Sequence, residues 1–225
     1  GLSLGEYSAL VSAGSLDFDS AVRVVRQRGL SMQEACPEGK GAMAAIIGLG
    51  KDTVEQVCRE ACDLGVVEPA NYNCPGQVVI SGEKPALARA CAIASARGAK
   101  RVIPLDVSAP FHCRLMEPAR EKMASILKDV VIRPASVPVV ANATAAPVTM
   151  PDDIRECLLS QITSPVLWEQ SVRRMVGDGV EAFVEVGPGK TLSGLIKKIS
   201  PEVPCYICDD RESLEAFLES TQVGC

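Results

Sequence analysis

The chain has 225 residues, 47% of them apolar, 23% charged and 4% aromatic, enough apolar material for one large domain or for one domain with a second inserted. Its 23 Lys and Arg against 28 Asp and Glu give a net charge of -5, with no basic block able to neutralise a run of phosphates, so nucleic acid is not an expected partner. The longest apolar runs, such as Ala42 to Leu49, fall far short of the ~20 residues a membrane-spanning helix needs, and no membrane is expected either.

From the start, Gly1-Leu2-Ser3-Leu4-Gly5-Glu6 runs into a helical stretch, Tyr7 to Ala13, that stops at Gly14. Asp17 is a natural N-cap for a second helix reaching Gly29 or a turn beyond. The breaker cluster Cys36-Pro37-Glu38-Gly39-Lys40-Gly41 reads as a linker. Beyond it the pattern becomes βαββαβ: strand Ala42–Gly48, helix Thr53–Leu64, strands Val66–Tyr72 and Gln77–Ser81, helix Pro85–Arg97 and strand Arg101–Val107. That order is the ferredoxin-like unit, so residues 39–109 read as an inserted small subdomain and residues 1–38 with 110–225 as a large one.

Helix Cys113–Leu127, strand Val137–Ala141, helices Pro151–Gln161 and Pro165–Gly177, strand Ala182–Val186, helix Thr191–Ile199 and a strand at Val203–Ile207 follow. Such alternation predicts an α/β fold, α/β-hydrolase-like, whose mainly parallel sheet carries helices on both faces. Ten irregularly spaced Cys suit core positions in a reducing compartment better than a disulfide framework. The one C-x-x-C, Cys205 to Cys208, has no second pair, so no metal is expected. Gly187-Pro188-Gly189-Lys190-Thr191 lacks the earlier glycine of a phosphate loop, Val184 standing in its place, and reads as a strand-to-helix turn.

Three features carry chemistry. Gly1-Leu2-Ser3-Leu4-Gly5 has the G-x-S-x-G form of a nucleophile elbow, with the Leu4 backbone N–H at a helix N-terminus to receive an oxyanion; an ordinary Gly-Ser turn is the plain alternative. A serine needs a base, and the sole histidine is His112, in Ser108-Ala109-Pro110-Phe111-His112. Its mid-chain position departs from the Ser, Asp, late-His order of the ordinary α/β-hydrolases. Arg28 falls in the middle of the apolar helix face made by Ala21, Val24, Val25 and Met32, where it must snorkel, cap the helix end or meet an anion.

These segments, with Val25-Arg26-Gln27-Arg28-Gly29, Asn71-Tyr72-Asn73-Cys74-Pro75-Gly76-Gln77, Asn142-Ala143-Thr144, Gln161-Ile162-Thr163-Ser164-Pro165-Val166-Leu167-Trp168 and Glu185-Val186-Gly187-Pro188-Gly189-Lys190, resemble the malonyl-CoA:acyl carrier protein transacylases and the related acyltransferase domains of polyketide synthases. The resemblance covers essentially the whole chain. It implies a malonyltransferase of type II fatty acid biosynthesis that binds no cofactor and uses malonyl-CoA and the phosphopantetheine thiol of holo-acyl carrier protein as substrates. Ser3 would be the nucleophile, His112 its base, and Gln161 the main-chain carbonyl that orients the histidine in place of Asp. Arg28 would pair with the malonyl carboxylate, with Leu4, Met32, Phe111 and Asn73 also at the substrate and Phe111 crowding an α-methyl group.

The resemblance further implies a strand, helices and a Gly-Gln-rich segment ahead of the elbow, including a second oxyanion donor. A chain beginning at Gly1 is thus expected to fold poorly or be inactive unless that part is supplied. The expected partner is an acyl carrier protein, the expected state a monomer, and the compartment a plastid, a mitochondrial matrix or a bacterial cytoplasm. The competing readings are a polyketide synthase domain, a serine hydrolase or thioesterase, and a non-catalytic carrier-docking protein.

Overall fold

A computed structural model describes residues 1–37 and 39–222, so Glu38, the expected domain boundary, and Cys225 lie outside the described residues. Its contacts divide the chain into two compact units, Gly1–Ser171 and Val172–Cys225.

The first unit opens with α1 (Leu4–Ser12) and α2 (Phe18–Glu34). Gly14, at φ 71, ends α1 with the Ser15 N–H returning to the Leu10 carbonyl, a left-handed close that glycine makes without strain. Asp17 caps α2 by accepting from the Ser20 N–H at 2.9 Å. Gly29 does not stop α2, which runs on to Glu34 because its buried face continues through Ser31 and Met32.

The next stretch is β1 (Gly41–Ile47), α3 (Lys51–Ala61), β2 (Val67–Cys74), β3 (Gln77–Glu83), α4 (Lys84–Ala96) and β4 (Arg101–Pro104), the expected order with a shorter last strand. The four strands form one antiparallel sheet in the order β2-β3-β1-β4. Strand alternation gives it two apolar faces. Ala44, Ile46, Val78 and Ile80 pack with Val54 and Val57 of α3 and Leu87 and Ala90 of α4. On the opposite face Met43, Ala45, Ala70 and Val79 meet Leu105 and Phe111.

The remainder of this unit is α5 (Glu117–Lys128), β5 (Val139–Val140), β6 (Pro147–Val148), α6 (Pro151–Thr163) and the start of α7 (Trp168–Gly177), with a second core built from α1, α2, α5 and α6. Phe111 packs against this core as well as against the sheet, so it stands where the two meet. The second unit contains β7 (Phe183–Val186), α8 (Thr191–Ile199), β8 (Cys205–Cys208) and α9 (Arg211–Gln222). Tyr206 of β8 meets Phe217 of α9 with ring centroids 5.2 Å apart.

The mainly parallel sheet expected from the sequence is not found among the described residues. β5 pairs antiparallel with its own neighbour β6, and the parallel contacts are β7 with β8 and a lone bridge from Asn71 to Val166. An apolar run shows that a strand is buried but not which strand it pairs with. Here the turn through Asn142 to Ala145, with the Ala141 N–H given to the Ala146 carbonyl, brings β6 back onto β5. β6 and α9 were not anticipated, although Asp210 followed by Leu214, Phe217 and Leu218 has the spacing of a capped amphipathic helix. The glycine turn after β7 is filled from within, since the Glu185 carboxylate accepts from the Leu192 and Ser193 N–H groups at the start of α8, where a phosphate would have to sit.

Candidate active site

Ser3 is the N-cap of α1 and holds φ 50, ψ -101, a left-handed backbone that a non-glycine residue adopts at a cost of about 1–3 kcal/mol. Gly1 makes this possible. A Cβ there would lie 2.2 Å from the Gly5 carbonyl oxygen, whereas one at Gly5 meets nothing within 4 Å. Of the two glycines of G-x-S-x-G, only the first is therefore required by crowding among the described residues. Leu4, the first residue of α1 and the next in the chain after Ser3, has a backbone N–H of the kind that no intrahelical carbonyl accepts.

His112 is also left-handed, at φ 59, and with Ser3 and Ala145 completes the non-glycine residues of positive φ among those described. Its loop is pinned by Pro110, which occupies the space over Gly41 that a Cβ would need, and by the Cys113 thiol, which donates to the Pro110 carbonyl. His112 is 4% exposed. Nε2 lies 2.8 Å from Ser3 Oγ, and Nδ1 lies 2.8 Å from the Gln161 backbone oxygen. A carbonyl oxygen can only accept, so the proton is assigned to Nδ1 and Nε2 is left to accept from the serine hydroxyl.

Arg28, buried on α2, donates through Nη2 to Ser3 Oγ at 2.9 Å and to Gln161 Oε1 at 2.8 Å. Its guanidinium carbon stands 5.6 Å from the centre of the Tyr7 ring. Nε is buried without a partner, and no carboxylate bonds the group among the described residues. Burial works against its charge. Buried and bonded to Ser3 and Gln161, the group neither snorkels to solvent nor bonds the carbonyls that end its own helix, and Nε is a donor without a partner.

The structure thus joins Ser3, His112, Arg28 and Gln161 in one hydrogen-bonded cluster. Met32 lies one turn beyond Arg28 in the same buried face, and Phe111 is the residue before His112. Asn73, half-buried on β2, shares no hydrogen bond with this cluster among the described residues. Two members went unassigned in the sequence, Glu6 and Asn142. Ser3 N–H donates to Asn142 Oδ1 at 2.6 Å, and Glu6 Oε2 accepts from Asn142 N–H and from Gln161 Nε2. The signal for Glu6 is its place one residue before Tyr7 and four before Leu10 on the buried side of α1, where a charge needs a reason.

Burial, and after it the Arg28 cation, push the His112 imidazole down from 6.5 to about 4, with the Gln161 carbonyl pulling the other way. The ring is neutral at pH 7, as a base must be. In the unfolded chain it takes its proton near pH 6.5, so the stability tied to a neutral His112 is complete above 6.5 and is lost as pH falls from there to about 4. Urea unfolding across this window is expected to lose on the order of 3 kcal/mol, and His112→Ala is expected to remove that slope. An unchanged slope in the variant would assign the loss to other groups.

A hydroxyl shared between a neutral imidazole and a buried guanidinium, with the imidazole aligned from behind, suits acyl transfer through serine. Residues 1–203 match the acyl transferase domain family. The malonyl CoA-acyl carrier protein transacylase of Escherichia coli K12 is 50% identical over 219 residues, covering 97% of this chain and 71% of that protein. Its namesake in Bacillus subtilis 168 is 47% identical over 221 residues, covering 98% and 70%. The chain belongs to the malonyl CoA-acyl carrier protein transacylase family. Among solved structures, the acyl-carrier-protein S-malonyltransferase of Burkholderia pseudomallei 1710b superposes with a TM-score of 0.95 at 45% identity, over 97% of this chain and 71% of the other. A malonyl-transacylase bound to a type II polyketide acyl carrier protein gives 0.94 at 44% identity, over 96% and 70%. The family's mixed α/β fold is shared by this chain, and none of its described helices is long and apolar enough to cross a membrane.

Proposed function

We propose that the chain transfers malonyl from malonyl-CoA to the phosphopantetheine thiol of acyl carrier protein, by way of an ester on Ser3. The observation that carries this reading is the arrangement around one atom: Ser3 Oγ touches both His112 Nε2 and Arg28 Nη2. His112 takes the hydroxyl proton as Oγ attacks the thioester carbonyl, and returns it to the departing CoA sulfur. In the second half His112 takes the proton of the carrier thiol, the sulfur attacks the ester, and Ser3 regains its proton. The Leu4 N–H faces the developing oxyanion. Gln161 orients His112 through its main-chain oxygen, and no cofactor is needed for proton and acyl exchange.

Arg28 receives the malonyl carboxylate, Met32 and Phe111 crowd its α-carbon, and Asn73 closes the acyl site from β2. A hydrolase of neutral acyl groups has no use for a buried cation with spare donors, which weighs against that reading. The βαββαβ stretch between residues 39 and 109 is read as a ferredoxin-like insertion in an α/β-hydrolase-like body, supported by its own apolar core under α3 and α4. The protein acts as a monomer, and its bacterial relatives favour a bacterial cytoplasm over a plastid or mitochondrion. Brief incubation with malonyl-CoA, with the segment expected ahead of the elbow supplied, followed by intact mass and peptide mapping, is expected to place one malonyl group on the peptide holding Ser3. Folded protein that takes up no malonyl would leave the carrier-docking reading ahead.

A further inference from the structure

The proposed mechanism makes no use of the most buried charged side chain beside it. Glu6 is 1% exposed, yet its Oε2 accepts from the Asn142 backbone N–H at 2.9 Å and from Gln161 Nε2 at 2.8 Å. Burial raises its pKa, and these two donors pull it back. A carboxyl group in such a place is costly unless hydrogen bonds offset its burial, and these two do so.

Each donor leads to a reacting group. Glu6 Oε2 accepts from the Gln161 amide, so it holds that amide with its NH2 toward Glu6 and its oxygen toward Arg28, where Oε1 accepts from Nη2 at 2.8 Å. The flipped amide would set oxygen against carboxylate and NH2 against guanidinium. On the other branch, Asn142 is held by its backbone while its side chain grips the elbow at both ends, Oδ1 accepting from Ser3 N–H at 2.6 Å and Nδ2 donating to the Gly1 carbonyl at 2.8 Å. Gln161 Nε2 also donates to the Ser3 carbonyl at 3.0 Å, so the strained residue is tied on both its peptide groups.

We propose that Glu6 is a positioning residue for acyl selection, aiming Arg28 through the Gln161 amide and holding the Ser3 backbone through Asn142. This rests on the malonyl-transfer reading above. A residue that only stabilised the fold would slow all acyl donors alike. One that aims Arg28 must slow a donor bearing a carboxylate more than one without.

The test is Glu6→Gln in the whole protein, with Ser3 acylation timed by quenched-flow mass spectrometry using malonyl-CoA and acetyl-CoA. Loss of a hydrogen bond to a charged group is worth about tenfold or more in rate, so malonylation is expected to fall by at least that factor and acetylation by several-fold less. Equal losses with both donors, or no loss with either, overturn the proposal. Should Glu6→Gln fail to fold, exchange of the Gln161 side-chain amide protons in the unaltered protein decides: slow exchange is expected, and exchange at the rate of a free amide overturns it. An unaltered protein that takes no malonyl from malonyl-CoA overturns the functional reading itself, and this proposal with it.

Discussion

Malonylation is expected to vanish in Ser3→Ala and to fall by about ten-thousand-fold in His112→Ala, close to 5 kcal/mol of barrier. The serine hydroxyl is a weak nucleophile at its ordinary pKa, and the group placed to remove its proton is Nε2 of His112, at 2.8 Å. The ring is aligned by the Gln161 carbonyl rather than by a carboxylate, so no partner anion can be removed to give a milder phenotype. His112→Gln, which can still bond Ser3 but cannot take its proton, is expected to match His112→Ala. Single-turnover adduct formation measures both. A His112→Ala protein that acylates within tenfold of the unaltered rate would remove the histidine from the proposed chemistry.

The second large effect belongs to Arg28. Removing one partner of a buried, hydrogen-bonded charge pair typically costs about 2–5 kcal/mol, so Arg28→Ala is expected to slow malonylation a hundred- to a thousandfold. Arg28→Lys is expected to recover little, because an ammonium offers a point charge where Nη2 alone already serves Ser3 and Gln161 and further donors must meet the substrate. Acetyl-CoA, which has no carboxylate, is expected to lose far less. Parallel losses with both donors, measured by the same adduct assay, would make Arg28 a support for Ser3 rather than a selector.

Ser3, His112 and Arg28 were legible in the sequence for separate physical reasons: a glycine-flanked serine before a helix, a sole histidine, and a cation in the middle of an apolar helix face. Gln161 was legible only through the family resemblance, since a main-chain carbonyl leaves no trace in residue type. Glu6 and Asn142 lay inside quoted motifs without a role, because their work is to bond amides brought from distant parts of the chain. The βαββαβ stretch could be read because its strands pair with near neighbours through short connections. The mainly parallel sheet expected from the sequence is not seen among the described residues for the converse reason: the strands beyond residue 110 are two to four residues long, and their apolar character does not name a partner.

On the proposed function, in which Arg28 receives the malonyl carboxylate, the nearness of Arg28 to His112 joins recognition to reactivity. A guanidinium left uncompensated opposes the arrival of a proton on the imidazole. An anion seated on the guanidinium lifts that opposition. A thioester that carries a carboxylate therefore strengthens the base it is about to need, at the moment of need. An acyl group that is uncharged meets the same serine with its base still weakened. Selectivity of this kind is exercised in the timing of proton transfer rather than in the tightness of a fit.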